Sequence, residues 1–122
     1  MSLLSNQAIE FRRAYGILNS LSGRTRQRNL IVEEFKEFLE ADQNMILMHP
    51  QDREACLKEL ADLVYVCAQY AENMDWDLEQ ALRRVHKSNM SKLGDDGKPI
   101  KREDGKVLKG PNYQPPDLSD LV

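Results

Sequence analysis

The chain has 122 residues, 41% hydrophobic and 30% charged, with a net charge of −3. That length suffices for one domain with one core and is too short for two, and the mild acidity gives no reason to expect a nucleic-acid partner. No apolar run approaches the roughly 20 residues that span a bilayer, and the opening MSLLSNQAIEFRR lacks the apolar core of a secretory signal, so the expected setting is the cytoplasm, away from membranes.

A first helix is expected over residues 5–20, with Ser5 as its N-cap and Ile9, Phe11, Tyr15 and Leu18 as bulky apolar positions. Ser22-Gly23 reads as its end. The second helix runs over about 26–46, capped by Thr25, with Leu30, Ile31, Phe35, Phe38, Leu39, Met45 and Ile46 at helical spacing. Five acids (Glu33, Glu34, Glu37, Glu40, Asp42) fall within ten of its residues, against the single base Lys36. A solvated face gains from mixed signs, so this imbalance favours a cation as partner.

Met48-His49-Pro50 breaks the helix, and Pro50 suits the first turn of a third one over about 51–73. Its middle, LADLVYVCAQYA, is apolar on nearly every side, the pattern of a helix buried all round. A chain this small cannot surround one of its own helices, so subunit association is expected to complete the burial. Cys56 and Cys67 lie 11 residues apart on that helix, too far for a disulfide within the chain, and read as free thiols. A fourth helix over about 76–92, capped by Asp75 or Asp77, offers Trp76, Leu78, Leu82, Val85 and Met90 as core candidates. Its last ten residues carry Arg83, Arg84, Lys87 and Lys92 and no acid, which suits a helix C-terminus for dipole reasons alone. Residues 100–108 read as a small hairpin turning at Asp104-Gly105, and GPNYQPPDL as an extended tail with a surface to lie on.

Two acidic pairs carry the chemistry. Glu34/Glu37 and Glu59/Asp62 each have i, i+3 spacing, which aims two carboxylates at a common spot on one helix face. Either pair alone is common on acidic helices. Two pairs beside apolar residues favour a metal site, because like charges next to buried surface are costly unless a cation joins them. Oxygen-only ligation points to Mg²⁺, with Mn²⁺ as a substitute. A di-iron centre would need Glu-x-x-His motifs, and neither His49 nor His86 supplies one. On the basic side, Asn89 and Lys92 are again i, i+3, and Lys109 stands beside Gly110 in the tail. A triphosphate held by metal and lysines is the expected electrostatic arrangement for phosphoryl chemistry. Taken singly, Lys92 and Lys109 would be ordinary surface charges. Lys87 and the Arg24/Arg26/Arg28 group fit either role.

The order ExxE, ExxD, SNMSK, then DGKVLKGPNYxPPDL resembles the MazG-like all-α nucleoside triphosphate pyrophosphohydrolases, particularly the short single-domain forms found in phages. The matching pieces are Glu34–Glu37, Glu59–Asp62, Ser88–Lys92 and Asp104–Leu118, within about residues 28–118. The resemblance implies an all-α, four-to-five-helix bundle as a single domain over 1–122, with a helical core over 5–92 and a hairpin and tail over 93–122. It implies an obligate oligomer, a homodimer that pairs again into a dimer of dimers, working in the cytoplasm or, if phage-encoded, in that of a host. The implied reaction is Mg²⁺-assisted: (d)NTP + H₂O → (d)NMP + pyrophosphate, with deoxynucleotides such as dGTP favoured. Glu34, Glu37, Glu59 and Asp62 would be metal ligands, and Asn89, Lys92, Lys109 and Tyr113 substrate-binding residues. Glu33 makes this copy EExxE and would be a further ligand or orient the water. Glu33, Glu34 and Glu37 are thus the candidate catalytic group, with a water activated beside the metal by one of them as nucleophile. Phe11 and Leu30 are candidates for lining a base pocket. Two alternatives stay open: phosphoribosyl-ATP pyrophosphohydrolase, which shares the fold and the acidic motifs, and a non-catalytic helical interaction module whose acids are a solvated face.

Overall fold

A computed structural model describes residues 2–122. The chain forms two compact units, one up to Asp77 and one from Leu78 onward.

In the first unit, α1 spans Leu3–Ala14 and its cap is Ser2, whose hydroxyl accepts from the Ser5 N–H at 3.2 Å. The expected range 5–20 with Ser5 as cap is corrected at both ends. Gly16 adopts φ 65°, and the Ile17 N–H folds back onto the Arg12 carbonyl at 2.8 Å, the closure that a left-handed glycine permits. The second helix, α2, spans Leu21–Gln43. Ser20 caps it, accepting from the Gly23 N–H at 3.0 Å, so Thr25 lies inside the helix and is not its cap. Gly23, which reads as a breaker, is a packing glycine: a Cβ there would stand 2.8 Å from the Asn73 Oδ1. A loop carrying Met48 at φ 53° leads to α3, Pro50–Asn73, with Pro50 in the first turn as expected.

The second helix packs along α3, and α1 packs on α3. The Phe11 and Tyr65 rings meet nearly at right angles, with centroids 5.7 Å apart. Gly23 faces Asn73, Glu34 lies beside Asp62, Glu37 and Glu59 share a cleft, and so do Ala41 and Ala55. These pairs define one antiparallel register along the whole α2–α3 seam. The buried residues of the unit include Ala8, Cys56, Ala68 and Ala71, together with Arg12, Gln27, Gln69 and Asn73. This chain does not bury α3 on all sides: Leu57 is 67% exposed, and Leu60 and Val64 are also exposed. Cys56 and Cys67 are free thiols, the first buried and the second half-buried.

In the second unit, α4 spans Leu78–Met90, shorter than the expected 76–92. Asp75 at φ 59° and the Trp76 N–H, which donates to the Ala71 carbonyl, place Trp76 in the turn before it. Leu82 and Met90, expected in the core, are exposed, as is Trp76. Strands β1 (Ile100–Lys101) and β2 (Val107–Leu108) pair antiparallel, Ile100 opposite Leu108, around a turn where Gly105 takes φ 89°. The tail has its surface: the Gly110 N–H donates to the Lys92 carbonyl (2.8 Å), the Gln114 N–H to the Ser91 hydroxyl (3.0 Å), and Arg84 binds both the Asp117 carbonyl and the Asp120 carboxylate. It closes in a single 3₁₀ turn, Ser119–Leu121. No helix among the described residues is long and apolar enough to cross a membrane.

Candidate active site

The antiparallel register brings Glu34 of α2 beside Glu59 and Asp62 of α3. One carboxylate oxygen from each lies within 4.8 Å of the other two. The i, i+3 spacing sets Glu59 and Asp62 on one face, and the packing of α2 on α3 supplies the third acid. Glu37 joins through Glu34, to which its side chain hydrogen-bonds. It also lines an acidic cleft of about 240 Å³ with Glu40, Asp52 and Glu59.

The electrostatics are those of an unbalanced cluster. The Glu34 carboxyl is pushed up from its usual 4.5 to about 7 by loss of hydration, by the hydrogen bond to Glu37, and by the charges of Glu37, Asp62 and Glu59. The Glu34 Oε2 and Glu59 Oε2 are buried and without a hydrogen-bond partner. Buried acceptors without partners are rare in folded proteins and ask for an explanation. A divalent cation provides one. Three carboxylate oxygens gathered within 4.8 Å of one another are the hard donors such an ion takes. The residues present therefore fit a hard divalent cation.

Glu33 is not brought into this group. It is exposed on α2, in a shallow depression it shares with Glu37, Asn29, Val32, Lys36 and Glu40. Its neighbour Glu34 takes the inward position because consecutive helical residues point about 100° apart. Lys58, by contrast, was missed by sequence reasoning. Its Nζ lies 2.7 Å from Asp62 and 3.5 Å from Glu59, and those partners hold its ammonium above its usual range. The acids thus have more compensating base than the count along α2 suggests. The available signal was the i, i+4 spacing of Lys58 and Asp62.

In the second unit, three of the four expected substrate residues come together. The Lys109 Nζ stands 4.8 Å from the Tyr113 ring centroid and the Lys92 Nζ 6.0 Å from it, both within reach of the ring's negative face. Gly110 makes this possible, since a Cβ there would meet the carbonyl oxygens of Leu93 and Lys92 at 2.5 and 2.6 Å. Asn89 is exposed on α4, one turn before Lys92.

Residues 16–89 match the profile of the phosphoribosyl-ATP pyrophosphohydrolase family. The chain belongs to that family. The family lies within the MazG-like all-α NTP pyrophosphohydrolase superfamily, and the four helices and small hairpin of this chain agree with that fold. The matched segment includes α2 and α3 entire, and so all four paired carboxylates; it stops at Asn89, before Lys92, Lys109 and Tyr113. Comparison with curated proteins returned no match. A pyrophosphohydrolase of the MazG-like kind is the reaction class that family membership supports.

Proposed function

We propose that the protein is a Mg²⁺-dependent nucleoside triphosphate pyrophosphohydrolase, cleaving a (d)NTP to the monophosphate and pyrophosphate, with deoxynucleotides such as dGTP preferred. The observation that carries this reading is the half-buried Glu34–Glu59–Asp62 cluster, with two partnerless oxygens, in a member of a pyrophosphohydrolase family.

Glu34, Glu37, Glu59 and Asp62 hold the metal, which supplies charge neutralisation for the phosphate chain and activation of the attacking water. A bound cation would favour the ionised form of Glu34 against its three acidic neighbours. Glu37, which lines the cleft with Glu59, is placed to accept a proton from water. Lys92 and Lys109, gathered on Tyr113 in the second unit, are the candidate phosphate-binding residues of this reading. Asn89 adds a neutral donor, and Glu33, from outside the cluster, orients solvent at its edge.

The active form is a homodimer that pairs into a dimer of dimers. The exposed apolar residues Val32, Phe35 and Leu39 on α2, and Leu57, Leu60 and Val64 on α3, support this. Each set follows helical spacing, and a second copy would take both stripes out of water. Sedimentation at decreasing concentration tests it; a monomer throughout overturns it.

The family's own description gives a second reading, with phosphoribosyl-ATP as substrate. Pyrophosphate release from a panel of ribo- and deoxynucleoside triphosphates and phosphoribosyl-ATP, with Mg²⁺ and with chelator, tests both. Chelator-sensitive release from a (d)NTP is expected. Release from phosphoribosyl-ATP alone would select the second reading, and no release from any substrate would leave the non-catalytic module.

A further inference from the structure

The polar residues buried at the α1 end of the first unit form a second constellation on the same seam as the carboxylates. Arg12 is only 3% exposed. Its Nε donates to the Asn19 Oδ1 (2.8 Å), its Nη1 to the Gln69 Oε1 (3.3 Å), and its Nη2 to the Asn73 Oδ1 (3.0 Å) and the Leu18 carbonyl (3.3 Å). Burial lowers the Arg12 pKa and the charge of Glu72 raises it, but all four hydrogen-bond partners are neutral. A buried guanidinium bonded only to neutral acceptors is a costly way to join two helices, which apolar side chains would do more cheaply.

What the network achieves is orientation. A guanidinium only donates, so the Gln69 oxygen must face Arg12 and the Gln69 amide nitrogen must face away. That nitrogen, Nε2, is buried without a partner, and so is the Gln27 Oε1. Both residues are 4% exposed. The series Gly23–Asn73, Glu34–Asp62, Ala41–Ala55 places Gln27 opposite Gln69. One side of the seam thus holds a partnerless acceptor and the other a partnerless donor. They lie seven residues from Glu34 and Asp62, about 10 Å along each helix. That separation is comparable to the span from the α-phosphate of a nucleotide to the hydrogen-bonding edge of its base.

We infer that Gln27 and Gln69 are the base-reading pair of this enzyme, with Gln69 donating to an acceptor on the base edge, Gln27 accepting from an adjacent donor, and Arg12 as the positioning residue that fixes the Gln69 amide. A guanine edge offers such a pair in its O6 and N1–H. The inference rests on the nucleotide-hydrolase reading above and names the residues that bind the base.

The test uses the full chain, wild type and with Gln27→Met, Gln69→Met and both together. Each is assayed with the preferred (d)NTP and with a base-free sugar 5′-triphosphate, and its melting temperature and nucleotide affinity are measured by calorimetry. Either single change should weaken nucleotide binding and raise KM about tenfold, the cost of leaving one buried polar group unpaired. kcat should change little, and the base-free substrate should be cleaved as by wild type. The melting temperature should hold or rise in Gln27→Met, which removes one partnerless group, and should fall in Gln69→Met and the double variant, which take an acceptor from Arg12. An unchanged nucleotide KM and affinity in the double variant, or equal losses on both substrates, would overturn the inference while leaving the reaction class intact. A wild type that releases no pyrophosphate from any nucleotide would overturn both.

Discussion

The two units treat their carboxylates in opposite ways. Up to Asp77 there are thirteen acids and eight bases, a net charge of −5; from Leu78 there are seven acids and nine bases, a net of +2, which together make the −3 of the whole chain. In the second unit three acids are bonded to groups that favour their ionised form. Asp120 is held by Arg84, Asp104 by Arg102 and the Lys106 N–H, and Asp117 by the Ser119 hydroxyl and N–H. Those bonds hold all three below the usual carboxylate range. In the first unit Glu34 is pushed the other way, to about 7, first by loss of hydration and then by neighbours of its own sign. Carboxylates that stabilise loops and a carboxylate cluster that requires a ligand are thus separable by the direction of their shifts.

Neutralising one member of each class should give the largest contrast. Glu34→Gln or Glu59→Gln should lower pyrophosphate release by more than about a hundredfold, beyond what losing an outer-shell partner of a metal costs. Asp104→Asn in the hairpin should leave it within about twofold, in keeping with a change at an exposed site. The two classes should also differ in metal-free melting experiments. Folding raises the Glu34 pKa, so its contribution is fully present below about 4.5 and is lost as pH rises through about 7. Glu34→Gln should remove that loss, and saturating Mg²⁺ should reverse it. The lowered aspartates give the opposite slope, losing stability as pH falls below the usual 3.8. A melting temperature flat from pH 5 to 8 in metal-free wild type would sink the contrast.

Gly110→Ala should have an intermediate effect. Its Cβ would press on backbone carbonyls that cannot rotate away, and overpacking of that kind costs about 1–3 kcal/mol. Limited proteolysis should cut the tail faster, and nucleotide KM should rise as Lys109 and Tyr113 lose their position. The smallest effect belongs to Lys58→Ala. Its ammonium competes with any cation for Asp62 and Glu59, and the pair is exposed enough for solvent to screen it. Mn²⁺ titration should show affinity a few-fold tighter, and an unchanged affinity would mean Lys58 swings clear at no cost.

Helix type and approximate extent were legible because both follow from local rules. The apolar spacing marked four helices, Pro50 started α3, Asp104-Gly105 turned the hairpin, and i, i+3 spacing paired the acids. The errors came where one residue serves two rules. Gly23 reads as a stop, yet it sits inside α2 to let Asn73 approach, and the Ser20 cap was lost with that reading. Leu82 and Met90 follow the apolar period, yet both are exposed in this chain, because a period marks a face without saying what covers it.

By itself the sequence determined that Glu34 and Glu37, and Glu59 and Asp62, would each share a helix face, since 3.6 residues per turn leaves no other arrangement. Only the tertiary structure decided which pairs would meet. The register of α2 on α3 depends on contacts between residues some fifty positions apart, Gly23 against Asn73 among them, and no local rule encodes it. That register brings Glu34 to Asp62, leaves Glu33 outside, admits Lys58, and sets Gln27 across from Gln69 with Arg12 behind it.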